Sequence, residues 1–383
     1  MRTTDLRSQE FQRILLIKPS AVGDVIHTLP VLAKLRARYP NAQIDWMLTP
    51  HIAELIRHNP ALSNVVLFAR QAYGRAWKDW SSSLDLGRML ADLRGANYDL
   101  VIDLHGQFRS GFFALATGAP IRIGFDRPRK RVRRAGRDLP KHAYVHAWKG
   151  AREGSWLAYT HRIRIPTLDA HAIDRYLWVG NLLGFPEGPP VFNVPLPPEA
   201  DVRVDQMLEQ HGVARKPIAV ITPGTIWETK HWLADHFAQV ARYLLRSGWT
   251  VVLGGSSKDK PTCRAVAEQC PGSIDLCGQT KLTELAALIR RAGICITNDS
   301  GPMHLAVALG TPLVSIFGPT DPVWIGPYGR PDAVVRAGVS CSPCYLRKLR
   351  ECPFDHACMR QVSPQIVIER IERTLSAAAM KGA

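Results

Sequence analysis

Short apolar runs alternate with helix-like stretches along most of this chain. Residues 13–18 form a compact apolar run, and the loop 19–23 follows it. Beyond the loop, apolar residues recur at the spacing of one helix face: Val25, Leu29 and Leu32. This order predicts a strand, a loop and a helix. Similar runs predict strands at residues 43–48, 65–68, 100–104 and 121–124, with a helix over 83–94.

A second alternating series begins after a stretch rich in proline and glycine, residues 184–198. It predicts strands at residues 218–222, 250–253, 294–297 and 313–316, with helices over 234–246, 282–290 and 302–309. Such alternation is typical of parallel sheets with helices on both faces, so we predict an α/β protein with two Rossmann-like domains facing across a cleft. The predicted domains are residues 12–188 and 189–362, and a final helix over 363–380 is expected to pack across their junction.

The positive charge of the chain is concentrated in its first half. The formal charge is +16, and residues 1–190 hold 28 Lys and Arg against 16 Asp and Glu. This excess favours an anionic partner such as a nucleic acid, a phosphorylated glycolipid or an acidic membrane surface. The densest run, residues 127–137, is interpreted as a solvated basic loop or a lipid-facing one. It lacks the aromatic residues of base-stacking modules, so no nucleic-acid partner is predicted.

Several classes of protein are disfavoured by what the sequence lacks. The first residues have no apolar core of a secretory signal, and no run approaches the roughly 18 apolar residues of a membrane span, so a cytoplasmic protein is expected. Neither a dinucleotide-binding glycine fingerprint nor a P-loop occurs. Dinucleotide oxidoreduction and P-loop phosphoryl transfer therefore lose support.

An acidic residue follows the first predicted strand, in Gly23-Asp-Val-Ile-His-Thr-Leu-Pro30. Asp24 has two interpretations at this position. It caps the helix, a contribution of about 1 kcal/mol, or it accepts a proton from an attacking hydroxyl as a general base. Spacing alone leaves both open.

Two loops of the second half carry groups suited to a phosphate. Residues 222–232 combine a glycine-containing loop with the hydroxyl of Thr225 and the mobile charge of Lys230. In residues 294–304 a buried strand ends in Asn-Asp-Ser-Gly and a helix begins, which directs backbone N–H groups toward the ligand edge of the sheet. The alternatives are a surface loop with an incidental lysine and a structural role for His304.

These three segments together resemble glycosyltransferase family 9, the lipopolysaccharide heptosyltransferases, over residues 13–317. The Asp24 segment is similar to the first signature of that family. The donor loop of the family is matched by Pro223-Gly-Thr-Ile-Trp-Glu-Thr-Lys-His-Trp232, and its N-D-[ST]-G-x-x-H segment by Asn298-Asp-Ser-Gly-Pro-Met-His304. Residues 98–106 are also similar, although His105 stands where Gln is expected.

The resemblance implies a GT-B fold and an inverting transfer of heptose from ADP-heptose to the lipopolysaccharide inner core, with Kdo-lipid A or heptosyl-Kdo-lipid A as acceptor. It implies Asp24 as base and no catalytic cofactor. It also implies a donor site made of Thr225, Lys230, Asp299, Ser300, Gly301 and His304. Relatives can hold the nucleotide ribose with a Glu where this chain has Gly254-Gly-Ser-Ser-Lys-Asp259, so that contact is unassigned. With the basic first half, a peripheral position on the inner face of the inner membrane is expected.

Half of the cysteines lie close together near the C-terminus. Cytosolic thiols are kept reduced, so the group is interpreted as a closed site for structural zinc or iron, or as reduced thiols or a labile disulfide in a loop. Its members are Cys341, Cys344, Cys352 and Cys358. The remaining cysteines are predicted to fill space in the core: Cys263, Cys270, Cys277 and Cys295.

Two other functions stay open at this stage. One is a transferase of the same fold that uses another nucleotide sugar or a protein acceptor. The other, more remote, is a basic nucleic-acid-binding protein that contains Rossmann-like domains.

Overall fold

The computed structural model describes residues 5–69, 79–130, 138–213 and 216–382. The chain divides into two compact units. The first comprises Met1–Arg131 and Trp148–Pro195, and the second comprises Val132–Ala147 and Leu196–Ala383. Among the helices within the described ranges, none is long and apolar enough to cross a membrane.

The first unit is built on a six-stranded parallel sheet. Its strands are β1 (Arg13–Ile17), β2 (Gln43–Leu48), β3 (Asn64–Leu67), β4 (Leu100–Asp103), β5 (Ile121–Phe125) and β6 (His161–Ile163). They lie in the order β3-β2-β1-β4-β5-β6. The strand order therefore reverses between β1 and β4, and the loops after these two strands flank the point where open parallel sheets bind ligands.

Helices cover this sheet because their apolar faces need a partner. Residues 14–17 of β1 are completely buried, as expected for a central parallel strand. Within the described residues, the helices of the first unit are α1 (Val22–Arg38), α2 (Pro50–Ile56), α3 (Trp80–Gly95), α4 (Phe108–Ala116), α5 (Ala172–Leu177) and α6 (Gly180–Leu183).

The second unit repeats the same plan. Its strands are β7 (Ile218–Thr222), β8 (Thr250–Leu253), β9 (Ile274–Asp275), β10 (Ile294–Asn298), β11 (Leu313–Phe317) and β12 (Val334–Arg336). They are parallel in the order β12-β11-β10-β7-β8-β9, so the strand order reverses between β7 and β10. The loops after β7 and β10 are thus the expected ligand loops of this unit.

The C-terminal helix packs on the second unit. The helices here are α7 (Pro198–Gln210), α8 (Ala234–Arg246), α9 (Lys260–Gln269), α10 (Leu282–Arg291), α11 (Gly301–Leu309), α12 (Pro322–Ile325), α13 (Ala357–Arg360) and α14 (Pro364–Gly382). Val367 and Ile371 of α14 are fully buried in the same apolar cluster as α8 and β11. The indole N–H of Trp232 donates to the Val362 carbonyl at 2.9 Å, which fixes the approach to α14.

The predicted fold class is confirmed: each unit is a parallel α/β sheet of Rossmann type. The predicted strands occur at the expected positions. The short edge strands β6, β9 and β12 were missed because two or three residues carry too little apolar pattern to detect. The division between the units falls after Pro195 instead of at the predicted residue 188, and the second unit also includes Val132–Ala147.

Candidate functional site

The Asp24 carboxylate lies at the start of α1, just beyond the end of β1. The cap residue of α1 is Ala21 and not Asp24, but Asp24 supports the helix start from its third position, because its Oδ2 accepts the Ala21 N–H at 3.3 Å. Its Oδ1 accepts the Tyr176 hydroxyl at 3.0 Å and lies 3.5 Å from the Lys18 ammonium. The Asp24 side chain remains 41% exposed, so capping and contact with a ligand are compatible.

The charges around Asp24 keep this carboxyl ionised. Burial acts to raise the pKa of Asp24, but the Lys18 ammonium, the positive field of His105 and the Tyr176 hydrogen bond lower it below its ordinary value. Burial would lower the pKa of Lys18, but Asp24 and Tyr176 raise it. The two groups therefore form an ion pair at neutral pH, and Asp24 is in the form that accepts a proton.

The loop after β4 brings a second acid to the same edge of the sheet. Asp103 ends β4 and is completely buried, and its Oδ2 accepts the Tyr159 hydroxyl at 2.7 Å. Its Oδ1 accepts the backbone N–H groups of His105 and Gly106 at 2.8 and 3.0 Å. Burial raises the pKa of Asp103 in spite of these donors. Asp103 shapes the loop that carries His105, and the sequence analysis did not single it out.

Lys230 and Asp299 meet in the second unit, as their places after adjacent strands predict. Lys230 lies in a short 3-10 helix after β7, and its ammonium is 2.6 Å from Oδ2 of Asp299. The Thr320 hydroxyl donates to the same oxygen at 2.6 Å. The Lys230 ammonium also lies 4.5 Å from the centre of the Trp227 ring. These contacts fix a lysine at the ligand edge of the sheet.

Asn298 ties the two ligand loops together, a role that the sequence analysis missed. It is fully buried at the end of β10. Its Oδ1 accepts the Trp232 N–H at 3.2 Å, and its Nδ2 donates to the Pro223 carbonyl at 2.7 Å. A buried amide whose oxygen and nitrogen are both hydrogen-bonded holds the two loops together. The Asn at the end of the buried strand 294–298 is the signal of this in the sequence.

The start of α11 forms the rest of this edge. Ser300 is the cap residue of α11, and its hydroxyl oxygen lies 3.0 Å from that of Thr297. Gly301 begins the helix and Pro302 has no N–H, so the N–H groups of Gly301 and Met303 are the first ones without an acceptor in the helix. His304 is buried in the first turn. Thr225 lies half-buried in the loop after β7, with its carbonyl oxygen 2.9 Å from Nε2 of His231.

The loop after β8 packs against the loop after β7 through an acid. Asp259 Oδ2 accepts the backbone N–H and the hydroxyl of Ser256 at 2.8 and 2.7 Å. A Cβ on Gly224 would lie 2.1 Å from Oδ1 of Asp259, so only glycine fits there. The acid of this loop is thus engaged by Ser256, and the ribose contact stays unassigned. The Ser-x-x-Asp spacing is the sequence signal for this turn.

The four clustered cysteines are free thiols, and Cys344 and Cys358 lie close to residues 318–319. Cys341, Cys344 and Cys358 are buried and Cys352 is half-buried. Burial raises the pKa of the Cys344 thiol to about 11 and that of Cys358 to about 12, with a smaller contribution from the neighbouring thiols. Cys344 N–H donates to the Pro319 carbonyl at 3.0 Å, while a Cβ on Gly318 would lie 3.1 Å from the Cys358 sulfur.

A different group has the spacing of metal ligands in this structure. Within the described ranges, the ligand atoms of Cys263, Asp275 and Cys277 all lie within 4.8 Å of one another. Cys263 and Cys277 are also members of the apolar core, as predicted. The site predicted at Cys341, Cys344, Cys352 and Cys358 has no such close triad, and it stays a prediction.

Part of the basic run lies outside the described residues, namely 131–137. In the described part, Arg129 donates through Nη1 to the carbonyl oxygens of Ile165 and Pro166 at 2.6 and 2.9 Å. Arg129 is therefore bound to its own unit. Its guanidinium has a structural partner, which neither interpretation of the run anticipated.

Comparisons with known proteins agree with this arrangement. Lipopolysaccharide heptosyltransferase 1 of Pseudomonas aeruginosa is 29% identical over 95% of this chain and 98% of its own. A glycosyltransferase family 9 structure from Veillonella parvula covers 97% of this chain and 99% of its own at 24% identity, with a TM-score of 0.77. An Escherichia coli heptosyltransferase solved with ADP-2-deoxy-2-fluoro heptose covers 94% and 99% at 23% identity, with a TM-score of 0.70.

The family model identifies the chain directly. The model described as glycosyltransferase family 9 (heptosyltransferase) matches residues 86–146 and 139–356, which is more than half of the sequence. The matched part includes the ligand loops of the second unit with Lys230 and Asp299. The chain therefore belongs to glycosyltransferase family 9 and is a glycosyltransferase.

Proposed function

We propose that this enzyme transfers a heptose from ADP-heptose to a sugar of the lipopolysaccharide inner core. The observation that carries the proposal is the Lys230 ammonium paired with Asp299 beside the start of α11, a cationic site for a diphosphate in a family 9 chain. The names of the relatives support the choice of sugar: the P. aeruginosa protein is a lipopolysaccharide heptosyltransferase, and the E. coli protein was solved with an ADP-heptose analogue.

The donor diphosphate is bound by fixed positive groups of the second unit. Lys230 offers an ammonium, α11 offers N–H groups at its positive end, and Thr225 offers a hydroxyl. Ser300, Gly301 and His304 complete the set at the start of α11. Asp299 is already neutralised by Lys230 and bonded by Thr320, so its part is to orient the lysine and not to bind an anion itself.

The transfer is a single displacement that inverts the anomeric centre. Asp24 takes the proton of the acceptor hydroxyl, the oxygen attacks the anomeric carbon, and the bond to the diphosphate breaks. Negative charge grows on the departing ADP, and Lys230 with the N–H groups of α11 stabilises it. Such preorganised donors lower the barrier without reorganising during the reaction, so the proposal needs no catalytic cofactor.

The acceptor is a phosphorylated glycolipid, either Kdo-lipid A or heptosyl-Kdo-lipid A. The excess of positive charge in residues 1–190 supports an anionic acceptor and a peripheral place on the cytoplasmic face of the inner membrane. Residues 127–130 and the adjoining basic residues are the part of the chain proposed to meet the lipid surface.

A structural zinc or iron ion at the four clustered cysteines is the last part of the proposal. Three of the thiols are buried, and charge on neighbouring thiols helps to raise the pKa of Cys341, Cys344 and Cys358, a repulsion that a bound cation would relieve. The Leu346 N–H hydrogen-bonds to the sulfur of Cys344, an interaction typical of the outer shell of thiolate sites. Four sulfur ligands leave no open position, so such an ion would hold this segment and take no part in transfer.

The test is a transfer assay with ADP-heptose and two truncated acceptors, one ending in Kdo and one in heptosyl-Kdo, read by mass spectrometry. We expect a mass gain of one heptose on one of them, and competition by ADP but not by UDP or GDP. Transfer from another nucleotide sugar, or onto a protein, would favour the alternative transferase. Tight nucleic-acid binding without nucleotide-sugar binding would contradict the whole proposal.

A further inference from the structure

The two oxygens of Asp24 are held by different partners. Oδ1 receives the Tyr176 hydroxyl at 3.0 Å and the Lys18 ammonium at 3.5 Å. Oδ2 receives the Ala21 N–H at the longer distance of 3.3 Å. A carboxylate has about four lone-pair sites, so Oδ2 keeps the capacity to accept one more proton donor.

The partners of Oδ1 are themselves firmly placed. The Tyr176 side chain is buried on α5, 152 residues along the chain from Asp24. The Lys18 ammonium lies 4.9 Å from the centre of the Tyr176 ring, and its side chain is only 6% exposed. A buried ammonium stacked on a buried ring has little freedom, so the orientation of the Asp24 carboxyl is fixed from one side.

Other charged groups interact electrostatically with this cluster. His105, in the loop after β4, helps to lower the pKa of Asp24, and Asp103 at the end of β4 helps to raise the pKa of Lys18. Arg175, beside Tyr176 on α5, acts on the Tyr176 hydroxyl. Among the described residues, Lys18 forms an ion pair with the Asp24 carboxylate, and the Tyr176 hydroxyl donates a hydrogen bond to it.

We infer that Tyr176 and Lys18 are positioning residues for Asp24, which turn Oδ2 toward the acceptor hydroxyl and set the lowest pH at which the enzyme turns over. The inference rests on the proposed role of Asp24 as base. In the step itself, the acceptor O–H bond breaks and its proton moves to Oδ2. The oxygen lone pair forms the new bond to the anomeric carbon, while the electrons of the old bond leave with ADP.

The sign of the pH effect follows from the contacts. A hydroxyl that donates to a carboxylate stabilises the charged form, so removing it raises the pKa of Asp24. Asp24 then becomes protonated, and useless as a base, at a higher pH. The pH below which turnover is lost must therefore be higher in a variant that lacks the Tyr176 hydroxyl. The donor-binding groups of the second unit are unaffected by this change.

The experiment compares Tyr176→Phe with Tyr98→Phe across the acid range. Tyr98 is a matched control, because it is buried in the same unit and donates to a different acid, Oδ2 of Asp45, at 2.8 Å. We expect the pH at which kcat falls to half on the acid side to increase by about one unit in Tyr176→Phe, because a hydrogen bond to a charged group is worth about that much in free energy. The KM of Tyr176→Phe for ADP-heptose should match that of the wild type, and so should the acid side of the pH profile of Tyr98→Phe.

Lys18→Met is the second variant, and it should raise this pH further because it removes the charge itself. If Tyr176→Phe keeps the wild-type pH profile, or Tyr98→Phe shifts it equally, the inference is wrong. Asp24→Asn separates this failure from that of the proposed function. If Asp24→Asn turns over normally, the proposed role of Asp24 as base is wrong. If Asp24→Asn is inactive but the pH dependence of Tyr176→Phe matches the wild type, only the positioning role is wrong.

Discussion

The Lys230 ammonium lies 2.6 Å from Oδ2 of Asp299, and both side chains are largely buried. The pair joins the loops after β7 and β10, the adjacent strands between which the strand order of the second sheet reverses. Asp299 thus compensates the charge of Lys230 in the free enzyme, and an incoming diphosphate shares that lysine with it. The ion pair of Lys230 and Asp299 is the centre of the proposed donor site.

Lys230→Ala should weaken ADP-heptose binding by about 10- to 100-fold, since a hydrogen bond to a charged group contributes about 1.5–3 kcal/mol. Titration calorimetry measures this directly. Lys216→Ala is the control, because Lys216 is an exposed lysine in the same unit and outside the ligand loops. If Lys230→Ala keeps the wild-type affinity and turnover, Lys230 is not part of the donor site.

Asp299→Ala should also lower the affinity for ADP-heptose, but through Lys230. Without its carboxylate partner the ammonium is no longer held at the ligand edge. The double variant Lys230→Ala/Asp299→Ala should therefore bind almost as well as the weaker of the two single variants, a coupling of about 0.5–3 kcal/mol in a double-mutant cycle. Losses that simply add would mean that each residue contacts the donor independently.

Asp24→Asn should lower turnover by at least about a hundredfold, the usual contribution of a general base. The amide keeps the shape of the carboxylate and can still accept the Ala21 N–H, so donor affinity should stay close to that of the wild type, whereas the melting temperature should fall because the buried Lys18 ammonium loses its anionic partner. Steady-state kinetics and thermal unfolding measure the two effects. A fully active variant would make Asp24 a capping residue alone.

Gly224→Ala should lower the melting temperature and weaken donor binding together. The new methyl group would lie 2.1 Å from Oδ1 of Asp259, so the loop after β8 has to move, at a cost of about 1–3 kcal/mol for overpacking. Gly338→Ala is the matched control in the same unit, because its Cβ would meet nothing within 4 Å. Equal melting temperatures for the two variants would contradict the close approach of these loops.

Protein purified without added metal should carry about one zinc or iron ion per chain, as expected for a closed four-thiolate site. Cys341→Ser/Cys344→Ser should lose the ion and some stability, while Cys263→Ser/Cys277→Ser should keep it. The opposite pattern would assign the ion to Cys263, Asp275 and Cys277. A metal-free, fully active enzyme whose clustered thiols react quickly in the native state would rule out the site at the four cysteines.

The proximity of Lys230 and Asp299 could be predicted from the sequence, because both residues follow strands that the alternating apolar pattern identifies. The partners of Asp24 were not predictable in the same way. Tyr176 lies 152 residues away on a short helix, and nothing in the local pattern directs its hydroxyl toward the loop after β1. Periodicity reports which face of an element is buried, whereas a contact between distant elements depends on the packing of the whole unit.

The assignment of Val132–Ala147 to the second unit has a consequence for synthesis of the chain. Tyr144 is buried, its N–H donates to the Cys344 carbonyl at 2.7 Å, and its ring lies 5.9 Å from that of Tyr345. These partners are translated about 200 residues later, which is roughly 10 to 40 seconds at typical rates of synthesis. During that interval Tyr144 has left the ribosome and lacks these two native partners. A fragment that begins at Leu196 would lack this segment. The rings of Trp324 and Tyr345 would then be more exposed to solvent, which favours aggregation.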